Sequence, residues 1–273
     1  MDIAFSRLES GVAKFVLSGA NPAFANSLRR TMIGEVPKLA IEDVMIYDNS
    51  SALFDEMLAH RLGLIPLKTN LSEYKLKSEC SCEGRGCSAC EAVYSLSVEG
   101  PCLVKSSDLI AQNPEASPVS PNIPIVKLEA GQKVVLEAHA EINTGMEHAK
   151  WQPTLACGYK AYPVISIDDR CDACGHCVEE CPRGVLKLGK KSVAVVEGNL
   201  ESCSMCRLCE KACMASGIEK SAIKVEPDNS RFIFVVESDG SLSVKEILLY
   251  GLSNLKGISD SLVDVLTNIS GAI

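Results

Sequence analysis

The 273-residue sequence predicts a mixed α+β chain in which strand-like runs and helical patterns surround a cysteine-rich insertion. Three observations carry that expectation. The first is a repeat. Cys171-x2-Cys174-x2-Cys177-x3-Cys181-Pro182 recurs 32 residues on as Cys203-x2-Cys206-x2-Cys209-x3-Cys213, and the two runs hold eight of the 14 cysteines. The second is a series of short apolar runs closed by Gly, Pro or Asp-Gly, which is strand and turn chemistry. The third is the stripe Leu248, Leu252, Leu255, Leu262, Leu266 and Ile269, stepping at 4, 3, 7, 4 and 3, a long apolar-faced helix with only Ser259 out of pattern.

The repeat has the spacing of two [4Fe–4S] clusters. A tight C-x2-C-x2-C loop brings thiolates to three of a cubane's four iron corners, and the fourth ligand arrives from elsewhere. In two-cluster ferredoxins it comes from the other run. That assigns Cys171, Cys174, Cys177 and Cys213 to one cluster, and Cys203, Cys206, Cys209 and Cys181 to the second. Disulfides or zinc thiolates are the competing reading of the same residues. Met214 follows Cys213 where Pro182 follows Cys181, so the turn presenting Cys213 is less constrained and its cluster is expected to be the more labile.

Taken in order, Phe15-Val16-Leu17 before Ser18-Gly19 predicts a strand and turn, and Asn21-Pro22 opens a helix. Phe24, Leu28 and Met32 share its apolar face, and Gly34 and Pro37 close it. Arg29 and Arg30 lie on the flank, as solvated charge or as a docking contact for an acidic partner. Ile41 to Tyr47 predicts a strand and Leu53 to Leu62 a short helix. Four prolines between 113 and 125 mark a loop, and Lys133 to Ile142 alternates as a strand does. Pro163 to Ile167, Val193 to Val196 and Ile223 to Val225 read as the first, central and exit strands of the cysteine insertion. After Pro227, Phe232 to Val236 is a further strand, turned by Asp239-Gly240 ahead of the long helix.

Between these elements, Cys80, Cys82, Cys87 and Cys90 form a glycine-bearing knuckle whose four thiols can close a tetrahedron around Zn2+. Surface thiols or a disulfide pair are the alternative. His148 and Lys150, beside the single tryptophan Trp151, can be imagined as a base and a phosphate ligand, but packing and surface roles are the commoner use of such residues.

Composition narrows the function. The chain is 47% hydrophobic and 23% charged, enough for a sizeable core, and its formal charge of −8 with no Lys/Arg-rich run argues against a dominant nucleic-acid face. The opening residues lack the basic region and apolar core of a signal peptide, and no run of about 18 apolar residues occurs. A soluble, cytoplasmic protein is expected, and a reducing compartment suits cysteines used as metal ligands. No Walker lysine loop, GxGxxG turn, GxSxG, HExxH or aspartate cluster is present, so no catalytic residues are predicted.

The string Asn26-Ser27-Leu28-Arg29-Arg30-Thr31-Met32, the run His60-Arg61-Leu62-Gly63-Leu64-Ile65-Pro66, the segment Gly145 to Pro153 and the closing strand and helix resemble the D-type subunit family of archaeal RNA polymerase. The resemblance runs in colinear order over essentially the whole chain. That family is the counterpart of the bacterial alpha amino-terminal domain and of the third subunit of eukaryotic RNA polymerase II. The resemblance implies a discontinuous alpha-subunit-type dimerisation domain (residues 1–47 and 226–273). It also implies an inserted, mainly β second domain carrying the knuckle (48–165) and a ferredoxin-like domain (166–225). It further implies an assembly platform that pairs with subunit L, recruits the small subunits N and P and docks the second-largest, B-type subunit. Arg29 and Arg30 then move toward a large-subunit contact, and Leu248, Leu252, Leu255, Leu262 and Leu266 toward the subunit L interface. The eukaryotic relative binds zinc at the knuckle, but the spacing here, C-x-C-x4-C-x2-C, is one residue longer in the middle. The polymerase's Mg2+-binding aspartates lie in another chain.

A ferredoxin-type electron-transfer protein, or the electron-relay subunit of an oxidoreductase, is the competing function, because cysteine spacing fixes cluster type and not potential. A third idea is that the clusters hold their domain folded and make assembly sensitive to oxygen or iron supply.

Overall fold

The computed structural model describes residues 1–196, 198–215 and 220–270. It is a mixed α+β chain with several small sheets. The order opens β1 (Asp2–Leu8), β2 (Val12–Ser18), α1 (Pro22–Gly34), β3 (Lys38–Asn49), α2 (Asp55–Gly63), β4 (Glu91–Glu99) and β5 (Cys102–Lys105). It continues β6 (Ile110–Ala111), β7 (Pro124–Leu128), β8 (Lys133–Asn143), β9 (Thr154–Ile167), α3 (His176–Glu179), β10 (Leu186–Leu188) and β11 (Val193–Val195). It closes α4 (Leu208–Ala215), β12 (Ile223–Ser238) and α5 (Val244–Ser270). Among the described residues, no helix is long and apolar enough to cross a membrane.

Two compact units emerge. The first comprises Met1–Ser6, Lys14–Ala25 and Tyr159–Phe234. Its framework is a four-stranded sheet in the order β1-β2-β12-β9. Alternation along β2 buries Phe15 and Leu17 on one face and leaves Lys14 and Val16 half-buried on the other. On the apolar face Phe15 stacks on Phe234 with ring centres 5.0 Å apart, and Tyr159 meets Phe232 at 5.6 Å and Phe234 at 5.2 Å. Asn21 caps α1 by accepting the Phe24 N–H at 2.8 Å, as the Asn-Pro opening predicts. The cysteine insertion has its own small core of Cys177, Leu186, Val193, Ile223 and Val225.

The second unit comprises Arg7–Ala13, Asn26–Gly158 and the chain from Val235 on. Its main sheet has the order β3-β8-β4-β6, and β5 pairs with β7. β8 is the clearest product of patterning: Val134, Leu136, Ala138, Ala140 and Ile142 all point inward. Against them pack Leu39, Ile41, Leu58, Leu62, Tyr94 and Leu96, each buried side chain contributing about 1.5–3 kcal/mol by leaving water. Arg61 ties α2 to β7 by donating to the carbonyls of Ile125 and Pro124, both at 2.8 Å. Gly145 has to be a glycine, since a Cβ there would lie 2.5 Å from the Ile33 carbonyl oxygen. The start of α5 rests on α1: a Cβ on Gly251 would sit 3.3 Å from Met32, and Asn254 donates to Glu35 at 2.5 Å.

Several elements differ from expectation; among them β4, β5, β6 and β7 join β1 as strands that no single run in the sequence points to. β1 is an additional strand whose seven residues are all exposed. Val193–Val195 is not central to a larger sheet; it pairs with Leu186–Leu188 alone, antiparallel. The segments expected as separate strands on either side of Pro227 are one 16-residue strand, β12. Proline lacks only the N–H, and a strand passes through it where no ladder bond needs that donor.

Candidate metal centres and partner faces

The knuckle lies in the second unit, just ahead of β4. Glu83, Gly84 and Gly86 take left-handed φ values of 54°, 79° and 87°, which curl the chain between Cys82 and Cys87. The Arg85 N–H bonds the Cys82 carbonyl at 3.2 Å, and the Cys90 N–H bonds the Cys87 carbonyl at 2.9 Å. The result gathers four sulfurs within 4.8 Å of one another. Cys80 and Cys87 are 3.5 Å apart, Cys82 and Cys90 3.5 Å, and Cys87 and Cys90 3.8 Å. Four sulfurs about 2.3 Å from a central ion are separated by about 3.8 Å, so the donor set fits a tetrahedral metal. These separations exceed a disulfide bond of about 2.05 Å, and Cys80 and Cys90 are buried while Cys82 and Cys87 are half-buried. The thiols are electrostatically unequal. The hydrogen bond from Cys80 pulls Cys82 down to about 6, whereas burial pushes Cys90 up to about 12.

The two cysteine runs lie in the first unit and fold alike. Ala173 and Gly175 in one run, and Met205 and Arg207 in the equivalent places of the other, all have left-handed φ, between 54° and 87°. Three of those four are not glycine. Such strain persists where the surroundings fix the loop. The structure brings the eight cysteines into two neighbourhoods. Burial, followed by the nearby Cys171, Cys174 and Cys213, pushes the Cys177 thiol up to about 11. Burial likewise pushes Cys209 up to about 11, and Cys203 and Cys181 add to it. Cys181, Cys203, Cys206 and Cys209 line one small cavity whose other walls include Ile165, Val185, Leu186 and Val225. Sulfur acceptors meet backbone donors: Val193 N–H to Cys171, Met205 N–H to Cys203 and Ala222 N–H to Cys213, at 3.3–3.5 Å. Hydrogen bonds to sulfur are among the features that tune an iron–sulfur ligand set where a cluster is bound.

The expected partner contacts divide. On α1, Arg29 folds back onto Asn26, at 3.1 Å and 3.3 Å, while Arg30 is exposed. On α5 the leucine stripe is not one continuous exposed face. Leu248 is only 8% exposed, and Leu252 and Leu255 are half-buried; Leu262 and Leu266 stand 59% and 55% exposed. Periodicity orients a stripe about the helix axis without saying which stretch is covered. Lys150 donates to the Ile41 carbonyl at 2.9 Å, pairs with Glu42 and lies over the Trp151 ring, and His148 Nδ1 accepts the Lys150 N–H at 3.1 Å. Both serve packing. Sequence reasoning passes over Lys14 and Lys160, which hold the second cysteine run, although alternation along their strands places both opposite the aromatic face.

Residues 14–258 match the RNA polymerase Rpb3/Rpb11 dimerisation domain. The chain is 47% identical over 270 residues to DNA-directed RNA polymerase subunit Rpo3 of Methanosarcina mazei, across 98% of this chain and 99% of the relative. It is 42% identical over 256 residues to the Archaeoglobus fulgidus protein of the same name, covering 94% of each. Against the Thermoplasma volcanium protein it is 38% identical over 271 residues, covering 93% of this chain and 95% of the relative.

Proposed function

The chain belongs to the RNA polymerase Rpb3/Rpb11 dimerisation-domain family, and from that premise we propose that it is the non-catalytic assembly subunit of an archaeal DNA-directed RNA polymerase. The carrying observation is the match over residues 14–258, which runs from β2 into α5 and takes in the cysteine insertion between them. It pairs with the smaller subunit L, and the pair receives the small subunits N and P and the second-largest, B-type subunit. Exposed Leu262 and Leu266 on α5 supply apolar area for the pairing, and exposed Arg30 on α1 supplies charge for a large-subunit contact. The same reading places the chain in the cytoplasm. The electron-transfer alternative is not favoured, because the relatives that match over nearly the full length carry a polymerase name.

Within this role the metals are structural. Cys171, Cys174, Cys177 and Cys213 hold one [4Fe–4S] cluster, and Cys203, Cys206, Cys209 and Cys181 the other, as their two neighbourhoods support. Cys80, Cys82, Cys87 and Cys90 hold Zn2+, on the strength of their tetrahedral spacing. A bound cluster supplies covalent cross-links to a domain with few apolar core residues, and that binding energy is folding energy.

Mixing the chain with the subunit L of the same organism tests the pairing. Light scattering is expected to show a 1:1 heterodimer. A chain that stays alone at micromolar concentration contradicts the role.

A further inference from the structure

We propose that Lys160 is a positioning residue for the second [4Fe–4S] cluster, clamping the Cys203 arm of its ligand loop to strand β9. The proposal rests on the assignment of Cys181, Cys203, Cys206 and Cys209 as that cluster's ligands. Along β9 successive side chains point to opposite faces, so Tyr159 enters the aromatic cluster and Lys160 emerges on the other side. There its Nζ donates to the Glu201 carbonyl at 2.6 Å and the Cys203 carbonyl at 2.7 Å. An ammonium offers three donors, and two of them end on backbone oxygens of the short turn that leads into the first ligand.

A second lysine works from the neighbouring part of the sheet. Lys14, beside Phe15 on β2, binds the Glu201 carboxylate at 2.7 Å. Glu201 is therefore held at its carbonyl by Lys160 and at its side chain by Lys14. Cys203 is held at its carbonyl by Lys160 and at its sulfur by the Met205 N–H, 3.4 Å away.

The first cysteine run lacks the counterpart. The equivalent positions, 32 residues earlier, are Asp169 and Cys171, and among the described residues no lysine donates to their carbonyls. The neighbouring Arg170–Asp168 pair is exposed at the surface. Two loops with the same ligand spacing are thus unequally braced. The braced cluster outlasts the other, and the nearby ammonium favours its reduced, more negative form.

The test uses the full chain, loaded with iron and sulfide without oxygen, in wild type, Lys160→Gln, Lys160→Arg and Lys14→Gln. Loss of visible absorbance on admitting oxygen is expected to be biphasic in wild type. A Cys174→Ser background, which leaves the second cluster alone, is expected to keep only the slow phase. Lys160→Gln is expected to speed the slow phase roughly ten-fold, leave the fast phase unchanged and lower the midpoint at which the second cluster's EPR signal appears. Lys160→Arg, which keeps charge and donors, is expected to stay close to wild type. Should Lys160→Gln fail to accumulate, Lys14→Gln has to show the same selective acceleration. A loaded variant whose slow phase is unchanged, or whose two phases accelerate equally, overturns the clamp. A wild-type chain that takes up no iron or sulfide overturns the cluster assignment itself and the clamp with it.

Discussion

Lys38 and Asp239, 201 residues apart in sequence, form an ion pair whose side chains are only 5% and 8% exposed. The pair joins the start of β3 to the turn between β12 and α5, and Asp239 also accepts the Ser241 N–H at 2.9 Å and hydroxyl at 2.5 Å. Removing one partner leaves the other buried and uncompensated. Lys38→Met and Asp239→Asn are each expected to cost about 3 kcal/mol in denaturant unfolding. The double variant is expected to cost clearly less than the sum of the two. Additive losses would mean that the two side chains do not stabilise one another.

The division of α5 predicts two kinds of leucine variant. Leu248→Ala is expected to lower the chain's own stability by about 3 kcal/mol, since its side chain is buried. Leu262→Asp and Leu266→Asp are expected to leave the isolated chain's unfolding midpoint unchanged and to abolish pairing with the small subunit. Titration calorimetry beside denaturant unfolding separates the two outcomes.

His139 on β8 is gripped by two carboxylates, Glu91 through Nδ1 and Glu137 through Nε2, the latter at 2.9 Å. Burial works against its charge, but the two hydrogen-bonded carboxylates prevail and the pKa is raised above the ordinary 6.5. The contribution of the charged histidine is therefore complete below the unfolded value and is lost as pH rises through the folded one. His139→Gln is expected to lower Tm more at about pH 6 than at about pH 9. An equal loss at both would contradict the clamp.

The knuckle is expected to bring one equivalent of zinc through purification, and Cys90→Ser to lose it. Because the thiols bind as thiolates, chelation is expected to become easier as pH falls. Metal analysis across a pH series reads both effects, and a Cys90→Ser chain with full zinc content would remove Cys90 from the ligand set.

Legibility in the sequence followed how local the cause was. The cysteine runs announce themselves because each spacing is complete within eleven residues. α1 and β8 were readable because a cap and a strict alternation are written in neighbouring residues. β1 was not, since all seven of its residues are exposed and no inward face contrasts with an outward one. The start of α5 carried an overlooked signal: Ser243 and Glu246 form a reciprocal cap, with the Ser243 N–H on the Glu246 carboxylate at 2.8 Å. Lys38 with Asp239, and Lys160 with the Cys203 loop, were invisible because tertiary packing makes those contacts. The leucine stripe was legible as a stripe and illegible as an interface, because what covers each turn depends on neighbours that periodicity does not name.

The mass and composition of the native assembly test the central claim most directly. Native mass spectrometry of the tagged chain, purified without oxygen from its own cells, is expected to find it one-to-one with a smaller dimerisation subunit inside a particle that also holds the large polymerase subunits. Recovery in a stoichiometric complex with an oxidoreductase, and without polymerase subunits, would contradict the assembly role.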